Sequence, residues 1–148
     1  MYNVFLITHS LFRWAVLLTG VIAVARALAG WLRDRPFAPA DDSAGRFYVI
    51  AMDIQLVVGL VLYAVLSPIT RQAFADMGAA MRDAHTRSIV AEHAVLMVVA
   101  VVLAHVGRAT SRRAATDLAK HRRAAIWYGL SLLAVLAGIP WWRPLLRV

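Results

Sequence analysis

The sequence predicts an all-α polytopic membrane protein, a four-transmembrane-helix bundle. Three observations carry this: an apolar composition, four apolar runs of spanning length, and cations concentrated in two loops. Of 148 residues, 61% are hydrophobic and 16% charged, where soluble domains run about half apolar and a quarter charged. The excess lies in runs at about 4–32, 48–66, 87–107 and 124–142. A run of about 20 residues crosses about 30 Å of hydrocarbon as a helix, which leaves no backbone group unpaired in lipid. With four spans subtracted, the length leaves room for a single domain, 1–148.

The first run, "VFLITHSLFRWAVLLTGVIAVARALAGWL", carries His9, Arg13 and Arg26. It is too long and interrupted for a signal peptide, lacks a basic n-region, and is followed by no small-residue cleavage site. The second, "YVIAMDIQLVVGLVLYAVL", carries Asp53 and Gln55 and ends at Ser67-Pro68. Between the second and third runs, Ile69, Ala73, Phe74, Met77, Ala80 and Met81 recur at i, i+3, i+4 spacing. That pattern predicts a short amphipathic interfacial helix, either a lid over a ligand or a surface helix whose Met77 and Met81 touch lipid. The third run contains "SIVAEHAVLMVVAVVLAH", with Glu92, His93 and His105. The fourth, "AAIWYGLSLLAVLAGIPWW", closes on the interfacial pair Trp141 and Trp142.

Direction follows from the cations. The loop "RATSRRAATDLAKHRR" and the loop "RDRPFAPADDSAGR" hold most of them. The positive-inside rule makes these two loops cytoplasmic and places both termini on the non-cytoplasmic side of an inner membrane. The net charge of +8 then reads as topology and attraction to anionic headgroups, with no nucleic-acid partner. The absence of cysteine excludes disulfides, thiolate zinc sites, iron–sulfur ligation and covalent c-type haem. Phosphate-loop, H-E-x-x-H and G-x-S-x-G motifs are also missing.

Ionisable residues inside a span are candidate functional residues. At about 1.5 Å per residue, Glu92 and His93 lie about 6–8 Å outward of the midplane, Arg13 about 7 Å and His9 about 13 Å. Arg87 stands at the mouth of the third span. Asp53, Arg26 and His105 form a second group on the cytoplasmic half. One reading makes these groups two interhelical ion pairs, Arg13–Glu92 and Arg26–Asp53, in a cofactor-free accessory subunit of a larger membrane complex. The small residues Ala23, Ala27, Gly30, Gly129, Ala137 and Gly138 would suit close helix contacts there, with a partner or within a homo-oligomer. The other reading uses His9 and His93 as axial imidazoles of a b-type haem, with Arg13 or Arg87 meeting its propionates.

The four spans, "THSLFRW" near the outer end of the first, and "EHAVLMVVAVVLAHVGR" with two histidines along another resemble the four-helix membrane cytochromes b. That group includes the cytochrome b561-like and superoxide-oxidase proteins and small bacterial membrane proteins labelled cytochrome b. The resemblance implies haem b, electron transport, and one-electron exchange with a quinol or small redox partner at the outer face, near His85, Arg87 and the Met77–Met81 helix. Ligand pairs on one helix of that family stand 13 or 14 residues apart. Here His93 and His105 are 12 apart and point about 120° from each other, so the resemblance implies one haem, on His9 and His93.

Overall fold

A computed structural model of the chain describes residues 1–143. The expected position of the C-terminus involves 144–148, which lie outside the described residues. Apolar side chains dominate each long helix, and the short polar connections fold the chain back on itself at each turn. Helix α1 spans Tyr2–Leu32 and α2 spans Pro39–Val61, extended by a π-helical segment Leu62–Leu66. Three short helices follow: α3 (Pro68–Ala75), α4 (Met77–Arg82) and α5 (Ala84–Arg87). A second π-helical segment, Ser88–His93, runs into α6 (Ala94–Arg112), and α7 spans Asp117–Gly138. Among the described residues there is no strand.

Three continuous segments, Tyr2–Leu32, Pro39–Leu66 and Ala84–Arg112, are long and apolar enough to cross a membrane. Helix α7 is not among them. Its first turns carry Lys120, His121, Arg122 and Arg123, and it stops at Gly138, where Ile139 turns extended ahead of Pro140. A residue preceding proline is pushed out of the helical region. The expected fourth segment to 142 therefore loses its last turn. The second-loop helix also differs from expectation, since it is broken into three pieces. Asp76 and Asp83 each accept a hydrogen bond from the backbone three residues on, at Ala79 and Thr86, and so restart a helix as N-caps. Ala73 and Ala80 are buried and Ile69 and Met81 pack beside them, while Phe74 and Met77 stay exposed.

The long helices run up and down, with α1 beside α2, α2 beside α6, α6 beside α7, and α7 back against α1. Their shared core holds Val16, Ala27, Tyr48, Met52, Ala100, Ala104, Tyr128 and Val135. Tyr48 and Ser131 hydroxyls meet at 2.8 Å, and Ser131 donates to the Ala100 carbonyl at 2.7 Å. These bonds join three helices in a core where every polar atom needs a partner. At the basic end, Asp41 accepts from Arg26 and Arg35, and Asp42 from Arg108. His121 is fully buried there. Its ring lies so close over Gly30 that a Cβ at Gly30 would overlap it, which is why α1 needs glycine at that contact. The α2–α6 seam is the loosest of the four.

Candidate functional site

The looseness of that seam opens into a cavity of about 540 Å³ at the Met1 end of the bundle. Leu6, Val16, Met52, Leu56 and Val101 are among its apolar lining, and its polar lining includes His9, Arg13, Gln55, His93 and Arg143. A cavity of that size and lining, with few convergent polar groups, is the usual form of a small-molecule or cofactor site.

Helix α1 supplies His9 and, one turn on, Arg13. The Gln55 amide of α2 donates to the His9 backbone carbonyl at 3.0 Å and stands 3.3 Å from His9 Nε2. Gly59, one turn further along α2, leaves the space that the His9 ring fills. His9 Nδ1 is buried and has no hydrogen-bond partner. Arg13 donates to Ser10 Oγ at 2.9 Å.

His93 sits at the end of the π-helical segment, where the wider turn sets its ring facing α1 while Glu92 faces away. Single π turns inside α-helices commonly occur at functional sites. His93 Nδ1 lies 2.7 Å from the Gly138 carbonyl. That carbonyl is in the last turn of α7, where helical partners run out, and a carbonyl only accepts. The hydrogen of this bond is therefore carried by Nδ1, and Nε2 is the ring nitrogen not used in it. The His9 and His93 ring centroids are 6.2 Å apart with planes 77° from parallel.

Tyr63, in the first π-helical segment, donates its hydroxyl hydrogen to the Val90 carbonyl at 2.8 Å. This bond ties the π turn of α2 to the π turn before α6. It closes one end of the α2–α6 seam, and Asp53–His105 bridges the seam further along at 2.8 Å.

Both expected ion pairs are corrected by these contacts. Glu92 pairs with Arg87 at 3.0 Å instead of Arg13, because Glu92 points about 100° from His93 and leaves the cavity side. Arg26 pairs with Asp41 at 2.9 Å, and Asp53 with His105. The long Arg26 side chain reaches the acidic start of α2 at the bundle's end, in keeping with the way arginine extends towards the interface. Arg87 ends α5 at the mouth of the third long segment. It borders a separate recess of about 320 Å³ with His85, Ser88, Glu92 and Trp142, which His93 touches from the other side. Among the described residues, Arg13 and Arg143 are the arginines that line the main cavity.

Gln55 was expected near Asp53 from its sequence position alone. Two residues on a helix point about 200° apart, which turns Gln55 inward to His9 while Asp53 faces outward. The amide in an apolar run is a signal that could have singled it out. Nothing in the sequence marks Gly59, Gly138 or Arg143 as neighbours of the two imidazoles. Comparison with family models, curated proteins and solved structures found no match to this chain.

Proposed function

We propose that this chain is a small integral membrane protein of b-type-cytochrome character. In this reading four helices cross an inner membrane, both termini lie on the non-cytoplasmic side, and one haem b is held by His9 and His93. The observation that supports it most is the pair of imidazole centroids 6.2 Å apart on the wall of an apolar cavity of about 540 Å³. The two histidines come from different helices and would be the residues to hold a haem iron there. Among the described residues no group of three or more His, Asp or Glu side chains converges. A bare ion thus has too few protein ligands here, whereas a haem brings most of its own and would need only the two histidines.

When bound, the haem supplies a one-electron couple. The chain's own residues do the rest. The Gly138 carbonyl fixes the His93 tautomer and ring direction, as an outer partner does for a metal-bound imidazole. Gln55 holds the α1 backbone at His9. Arg13 and Arg143 offer cations to carboxylate groups at the cavity edge, and the apolar wall excludes water. The recess holding Arg87, His85 and Glu92 is next to His93, a position that suits a quinol or another small redox partner.

A second reading, a cofactor-free accessory subunit of a larger membrane complex, draws on the same rings. A 6.2 Å edge-to-face pair is within the range of ordinary aromatic contact. Absorbance separates the two. Protein purified after haem-sufficient expression should show a Soret band, which His9→Ala and His93→Ala each abolish; a colourless parent protein contradicts the haem reading.

A further inference from the structure

Asp53 and His105 bridge α2 to α6, yet their side chains stay 46% and 52% exposed. Both belong to segments apolar and long enough to cross a membrane. Ionisable groups in such segments almost always face protein or a water-filled cavity, since hydrocarbon offers them nothing. Along the same seam the apolar cavity opens sideways, for Leu60, Val95, Val98 and Val99 line it and are exposed as well. An outward-facing polar pair and an open cavity mouth therefore share one face.

The sequence along that face has a regular spacing. On α2 it is Ile50, Asp53, Val57 and Leu60; on α6 it is Val95, Val98, Val102 and His105. Each stripe alternates steps of three and four, one face of a helix, and each carries one polar residue. A single polar residue in a seam between helices sets register. The exposed faces of α1 (Leu11, Trp14, Leu18, Val21) and α7 (Ile126, Leu130, Leu133) have the same spacing but no polar residue among them, which suits lipid.

We infer that a second copy of this chain covers the α2–α6 face across a twofold axis. The pair is complementary to its own copy, because the His105 Nε2 that meets its own Asp53 at 2.8 Å can be shared with or given to the second copy's Asp53 carboxylate. In a twofold contact residue i meets residue j and j meets i. Asp53 of one protomer then faces His105 of the other, twice over, and acyl chains supply neither group. The copy also closes the cavity mouth that a monomer leaves open to acyl chains. This inference is independent of which cofactor, if any, occupies the cavity.

The chain contains no cysteine, so single cysteines report proximity cleanly. Val102→Cys lies on the proposed face and Leu133→Cys on the outward face of α7, both exposed. The two variants are reconstituted at low density in lipid vesicles and oxidised with copper phenanthroline. Val102→Cys should form a covalent dimer, and Leu133→Cys should not. Adding Asp53→Leu and His105→Leu together avoids leaving one partner charged and unpaired. That change should lower the Val102→Cys dimer about tenfold, the scale of one or two interhelical polar bonds in a membrane. Helical content by circular dichroism should be unchanged. The inference is overturned if Val102→Cys stays monomeric, if Leu133→Cys crosslinks equally, or if the dimer survives the paired leucines.

Discussion

A Cβ added at Gly59 would stand 3.2 Å from His9 Cε1, closer than ordinary carbon contacts, and a branched side chain would come closer still. His9 has little freedom to yield, since Gln55 holds its backbone carbonyl. Gly59→Val should therefore displace the ring from its place opposite His93. The expected outcome is a weakened or shifted Soret band with helical content retained, read by absorbance beside circular dichroism. An unaltered band would mean that the His9 ring position is immaterial to the cofactor. At the same scale, the two histidines were within reach of simple arithmetic, because both spans enter from one side and place them in the same half of the bundle. Their partners were not. Depth says nothing of rotation, and rotation alone sends Gln55 to His9, Asp53 to His105, and Glu92 away from Arg13.

Two π-helical segments give the site its shape, and Tyr63 joins them through the Val90 carbonyl. Tyr63→Phe keeps the ring but leaves that carbonyl without its donor. The loss should cost about 1–2 kcal/mol, seen as a lower midpoint in detergent-based unfolding. A midpoint equal to the parent's would remove the bond from any supporting role. Neither π segment was legible in the sequence, because hydrophobic spacing resolves a run of residues and not one inserted residue. The three long apolar segments were legible, since their length and composition leave a helix as the one backbone that hydrocarbon tolerates. The second loop was legible only in part. Its i, i+3, i+4 pattern marked the helical character, but Asp76 and Asp83 act as caps, and each cap starts a new helix on a new axis.

For the molecule as a whole, the charges are unevenly placed. The basic end gathers Arg26, Arg35, Arg108, Arg112 and Lys120 around Asp41, Asp42 and Asp117, while the cavity and the two imidazoles lie towards the Met1 end. In the proposed topology the cavity belongs to the non-cytoplasmic half. Ala84→Cys and Ala115→Cys, both exposed, are the reporters on a chain otherwise free of cysteine. A membrane-impermeant thiol reagent added to intact spheroplasts should label Ala84→Cys and spare Ala115→Cys until the membrane is opened. The reverse pattern would invert the protein, and labelling of both would end the four-span reading, because an odd number of crossings separates these two positions only if the segment between them spans.

The central claim, that His9 and His93 together hold one haem, is tested most directly by the absorption spectrum of the purified protein beside His9→Ala and His93→Ala. The account predicts a Soret band in the parent and its loss in each variant, at unchanged helical content. A colourless parent, or a band that persists at parental strength in either variant, would contradict it.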